Sequence, residues 1–202
     1  MREVVRIRTT VMIVLFMGLI PLALAQTYLD ANGSKPEDTG GAARLLHYLP
    51  EDMPIEVFVP LPAVDNGEAL RAQVVRALEA WQAAVPELVQ FRILNAPAEG
   101  ALTVTWREFE DQRVGSYLYA FSVGEDNVYR FRATDLLLDP RFGAEDTYRY
   151  ALLEVGHTLG LLGRSPFEGD AMSTTPSGVI SERDIATLRA LYALPSGIVV
   201  NE

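Results

Sequence analysis

The sequence predicts an α+β domain in which helices cover a mixed β-sheet. Three observations carry the prediction. Strand-like and helix-like segments follow one another in the order strand, helix, several strands, helix, helix. Of the 202 residues, 49% are hydrophobic and 22% charged, which suffices for one packed core. Cysteine is absent, so the fold rests on packing alone, and disulfides, cysteine-ligated zinc, iron–sulfur clusters and thiol catalysis are excluded.

The first 25 residues read as an address. Arg2, Arg6 and Arg8 precede an apolar stretch from Val11 to Leu24, and Ala23-Leu24-Ala25 offers a small-x-small exit. Together these form a secretory signal with cleavage expected after Ala25, which places the mature protein outside the cytoplasm, secreted or periplasmic. The uncharged run from Thr9 to Leu29 is also long enough to span a bilayer. Pro21 and the Ala-x-Ala exit favour cleavage over a retained anchor. Cleavage removes three Arg and one Glu from totals of 17 basic and 27 acidic residues, leaving 14 and 26, a net charge of −12. Such an acidic chain is a poor partner for nucleic acid or for anionic lipid. Residues 26–47 hold turn-formers such as Ala31-Asn32-Gly33-Ser34-Lys35-Pro36 and few apolar anchors, so a linker or loose arm is expected there, with the domain over 48–202.

Pro54–Pro60 is a short β-branched and aromatic run bounded by prolines, expected as an edge strand or a strand terminus. From Glu68 to Val85, Leu70, Val74, Ala77, Leu78, Trp81 and Val85 recur at helical spacing until Pro86 stops the helix, and Trp81 is expected in the core. Residues 89–94, 101–106 and 128–138 read as three further strands. Gln112–Asn127 is expected as a long connection whose Tyr117, Tyr119 and Phe121 cover the core or line a groove. Glu145–Leu162 is a helix with Gly156 and Gly160 inside it, glycines that imply close packing or a forced stop. The last helix starts at Ser181 as N-cap, with Asp184 at N3 and Ile180 and Ile185 as a staple.

The segment Leu152-Leu153-Glu154-Val155-Gly156-His157-Thr158-Leu159-Gly160-Leu161-Leu162-Gly163-Arg164 resembles the zinc-binding helix of the metzincin peptidases, and within them the matrixin-like secreted metallopeptidases. Their pattern is H-E-x-x-H-x-x-G, then a third histidine, then a Met-turn. Two histidines four apart share a helix face and bind one zinc, and the Glu between them activates the zinc-bound water. The resemblance makes Glu154 the general base, His157 the second ligand, Gly160 the turn glycine and Met172 the Met-turn residue. It covers most of residues 50–195. It implies a metzincin-like twisted mixed sheet packed by an N-terminal helix and an active-site helix, followed by a C-terminal helix.

The departures from that pattern shape the functional expectation. Leu153 stands at the first-ligand position, and Gly163 or Arg164 at the third. None of these can ligate zinc, whose catalytic sites take about three protein ligands. The chain's other histidine, His47, lies in the arm. A catalytically inactive pseudopeptidase is therefore expected, with no cofactor and a peptide or protein in the former substrate cleft. Two alternatives stand beside it: a zinc metalloendopeptidase with a non-standard ligand set drawing on His47 or an acidic residue, and an extracytoplasmic structural or interaction domain. Glu154, on an apolar helix, needs a partner if buried, and Arg164 is expected to supply it. The acidic Glu108, Glu110 and Asp111 are expected as a solvated face.

Overall fold

The computed structural model describes residues 27–39 and 41–200. The expected signal segment and its expected cleavage site lie outside the described residues. Five strands and three helices form an α+β domain: β1 (Ile55–Phe58), α1 (Gly67–Ala84), β2 (Phe91–Leu94), β3 (Leu102–Trp106), β4 (Gly115–Val123), β5 (Tyr129–Leu138), α2 (Ala144–Thr158) and α3 (Glu182–Tyr192). The sheet order is β2-β1-β3-β5-β4. All neighbours are parallel except β4 and β5, which are antiparallel. β1 is thus an interior strand, not an edge. Its prolines act only as terminators: Pro54 and Pro60 lie outside the ladder, where a missing N–H costs nothing.

The core lies between the sheet and the helices α1 and α2. Val57, Val104, Leu136 and Leu138 meet Val74, Leu78, Trp81, Leu152 and Val155, all essentially excluded from water. Trp81 spans the two helices, its Nε1–H donating to the Leu152 carbonyl at 2.8 Å. Gly156 is required at this crossing, because a Cβ there would overlap Met172 Sδ and fall 3.0 Å from the Trp81 ring.

Two expectations about the chain path need correction. Gln112–Asn127 is not a connection: it contains β4, a nine-residue edge strand that returns to β5 through a turn with Asn127 at φ 57°. Asn tolerates that left-handed conformation better than most residues. Helix α2 ends at Thr158, four residues before Leu162. Gly160, at φ 102°, closes it by letting its own N–H bond the His157 carbonyl (3.0 Å) and the Leu161 N–H bond the Gly156 carbonyl (3.1 Å).

The arm is tied down. Two 3-10 turns, Leu29–Asn32 and Pro36–Thr39, bury Asn32 and Thr39. The stretch 43–45 pairs with the C-terminal segment through Leu45 N–H to Ile198 O (2.9 Å) and Val200 N–H to Ala43 O (2.9 Å). Tyr28, Leu45, Leu46 and Tyr48 join the core. Polar turn residues conceal such anchoring in the sequence, because their partners are backbone groups far along the chain. Among the described residues no helix is long and apolar enough to cross a membrane.

Candidate functional site

Helix α2 is buried along its second half, from Ala151 through Thr158. Leu153, at the first-ligand position, is fully buried and packs in the core. Glu154 is 1% exposed. It lies under the first residue of β4: a Cβ on Gly115 would come within 2.7 Å of Glu154 Cγ. Among the described residues its Oε2 is buried with no hydrogen-bond partner. Burial pushes the carboxyl up to about 7, against the weaker pull of Arg164 and Arg113.

His157 is buried, and its Nδ1 lies 2.5 Å from the Leu161 carbonyl. A carbonyl only accepts, so Nδ1 carries the proton and donates. The Tyr117 ring stacks on the imidazole, with centroids 4.4 Å apart. Burial first, and then the positive charge of Arg164, hold the ring down to about 3, so it is neutral at ordinary pH. The Tyr117 hydroxyl donates to the Leu162 carbonyl at 3.1 Å, pinning that ring between β4 and the turn after α2. Its phenol is pushed up to about 12 by burial and by the nearby Glu154.

The third-ligand position is closed by the arm. Gly163 donates its N–H to Asn32 Oδ1 at 3.1 Å, and any Cβ there would overlap the Ala31 carbonyl oxygen. Arg164 is exposed. Its Nη1 reaches the Ser173 carbonyl at 3.4 Å, and no ion pair joins it to Glu154 among the described residues. The expected Glu154–Arg164 pair is therefore not formed. The turn after α2 carries Arg164 outward, so its charge acts on Glu154 and His157 only through space. His47 is engaged elsewhere. Its ring packs, tilted by 30°, against Tyr192, and its two nitrogens face the carbonyls of Tyr48 (2.7 Å) and Leu194 (2.9 Å).

These residues do not fit a catalytic zinc. Leu153 offers no lone pair, Gly163 admits no side chain and Arg164 is a cation that only donates. Among the described residues no three His, Asp or Glu converge. Met172 is fully buried beneath α2, and its carbonyl accepts the Ser165 N–H at 2.8 Å, which fixes the loop ahead of α3. That helix begins as the sequence predicts: Ser181 accepts the Asp184 N–H, and Asp184 accepts the Ser181 N–H. Glu108, Glu110 and Asp111 are exposed, as expected of a solvated face.

Beside the site runs a groove of about 620 Å³. One wall is β4 from Ser116 to Phe121, the other is arm residues Gly33, Ser34, Lys35 and Asp38, and Leu162 lies between. The Tyr119 hydroxyl bonds Asp38 across it at 3.0 Å. The residues that sequence reasoning missed are those that close the site: Ala31, Asn32, Gly115 and the inward face of β4. Strict alternation of Tyr117, Tyr119 and Phe121 was the available signal for a strand. No family model matches the chain, and no curated protein matches it.

Proposed function

We propose that this chain is an extracytoplasmic pseudopeptidase of matrixin-like fold, which holds a peptide in its groove without cutting it. The observation that carries the reading is the replacement of the metal-ligand positions by groups that fill them: the buried Leu153 and Gly163, sealed by the Ala31 carbonyl. Retention of Glu154, His157, Gly160 and Met172 at the family's positions supports the descent. A mixed sheet packed by α1 and α2, with α3 following, supports the fold. The groove beside the free edge of β4 offers unpaired backbone groups and the rings of Tyr117, Tyr119 and Phe121, which suits an extended segment.

The test is to mix the purified chain with fluorescein-labelled casein peptides, with and without a chelator. Binding without cleavage, weakened by Tyr119→Ala, is expected. Cleavage that the chelator abolishes would establish a metallopeptidase with a non-standard ligand set. Absence of both binding and cleavage would leave a structural domain.

A further inference from the structure

The chain contains two Asn-Gly dipeptides, Asn32-Gly33 and Asn66-Gly67. Glycine has no Cβ to shield its backbone nitrogen, so Asn-Gly is the sequence most open to attack by that nitrogen on the asparagine side chain. The Gly nitrogen forms a bond to Asn Cγ, the Cγ–Nδ2 bond breaks, and ammonia leaves with the proton from the Gly N–H. Water then opens the resulting succinimide at either carbonyl, giving aspartate or isoaspartate. No electron is gained or lost, and water is the only co-reactant.

The structure holds the two dipeptides differently. Asn66 is exposed and its side chain makes no capping bond at the start of α1, but the Gly67 nitrogen is buried and donates its N–H to the Val64 carbonyl at 3.0 Å. Asn32 is fully buried. Its Nδ2 donates to the Tyr28 carbonyl at 2.9 Å, and its Oδ1 accepts the Gly163 N–H at 3.1 Å. Both ends of the amide are thus engaged, and the residue closes a 3-10 turn, so the side chain cannot turn freely onto the Gly33 nitrogen while the arm is docked. Neither partner of the dipeptide is easily exchanged. A Cβ at Gly33 would lie 3.0 Å from Ala43 Cβ and 3.1 Å from Val200 Cγ2, and Asn32 is the residue that satisfies the Gly163 N–H.

We propose that Asn32-Gly33 is a deamidation site gated by the docking of the arm, and that its conversion releases the arm irreversibly. Undocking by local opening frees the amide and admits water. The product cannot dock again in the same way. Aspartate lacks the N–H that the Tyr28 carbonyl accepts and sets a buried negative charge against that carbonyl oxygen. Isoaspartate adds a carbon to the main chain and breaks the register in which Ser34 N–H meets Arg44 O at 2.7 Å. Release uncovers Gly163 and removes the arm wall of the groove. The inference stands on the arm's geometry and is independent of what the groove holds.

Lys35 is the only lysine in the chain and is exposed. An endoprotease that cuts on the amino side of lysine therefore has one target, the Ser34–Lys35 bond, held by the docked arm. The full chain is incubated at pH 8 and 37 °C, both Asn-Gly peptides are followed by mass spectrometry, and the samples are then exposed to that protease. Asn32 is expected to convert at least about tenfold more slowly in the native chain than in denaturant. Tyr28→Phe, which loses a bond from the arm to Asp184, is expected to speed Asn32 conversion without affecting Asn66. Chains converted at Asn32, and the variant Asn32→Asp, are expected to be cut severalfold faster than unconverted chains. Equal conversion of Asn32 in the native protein and in denaturant overturns the gating. Equal cleavage of converted and unconverted chains overturns the release.

Discussion

Two helices each carry a buried carboxyl group, and the fold treats them differently. On α3, Asp184 is fully buried and accepts three hydrogen bonds: from the Tyr28 hydroxyl (2.6 Å), the Ala171 N–H (2.9 Å) and the Ser181 N–H (2.8 Å). On α2, Glu154 is equally buried, yet its Oε2 has no partner. A carboxylate that holds structure together keeps its donors. Among the described residues, Glu154 has the burial of a structural carboxylate without its full set of donors. The contrast separates a carboxyl group that organises its surroundings from one that is only enclosed by them.

Removing the saturated group gives the largest expected effect. Asp184→Ala strips the arm, the Met172 loop and the α3 cap of a shared acceptor, and should cost about 3–5 kcal/mol, read from the denaturant midpoint. A cost below 1 kcal/mol would remove the contrast with Glu154.

Glu154→Gln should act in the opposite direction. The native carboxyl is raised from 4.5 to about 7, so its contribution is fully present below about pH 4.5 and is lost as the pH rises to about 7. The variant escapes that loss and should gain about 3 kcal/mol at pH 8. His157 has the reverse linkage. Lowered from 6.5 to about 3, its neutral form contributes stability above pH 6.5 that is lost as the pH falls towards 3. Between pH 4.5 and 6.5 the two groups offset one another. Glu154→Gln should therefore unmask a stability that climbs with pH from about 3 to 6.5, visible in a series of melts across that range.

Gly163→Ala sets a Cβ against a backbone carbonyl, and overpacking of this kind costs about 1–3 kcal/mol. The change should also loosen the arm, measured as faster amide exchange at residues 28–34. Arg164→Ala should be the smallest change, below about 0.5 kcal/mol, because the side chain is exposed and forms no pair with Glu154. A loss of several kcal/mol there would restore the ion pair that the sequence alone suggested.

The amphipathic helices were legible because each buries one stripe: Leu70, Val74, Leu78 and Trp81 declare α1 without any tertiary information. The Ser181 cap was equally legible, since its partners lie three residues apart. β4 was missed because its glycine, serine and tyrosine content suggested a turn-rich connection, although its alternation was intact. The resemblance singles out Leu153 and Gly163, but what packs against them could not be read from the sequence. Ala31 and Asn32 meet Gly163 across more than 130 residues of chain, and backbone carbonyls carry no sequence signature. The Arg164 pairing failed for a related reason: the direction of the turn after α2 is set by Gly160 and the arm together, not by the distance in sequence between Arg164 and Glu154.

The proposal that α2 holds no metal site is tested most directly by zinc stoichiometry. The full chain is equilibrated with zinc, dialysed against metal-free buffer and weighed for metal by mass spectrometry beside His157→Ala. The account predicts far less than one zinc per chain and no difference between the two proteins. One zinc per chain, lost on replacing His157, would contradict it.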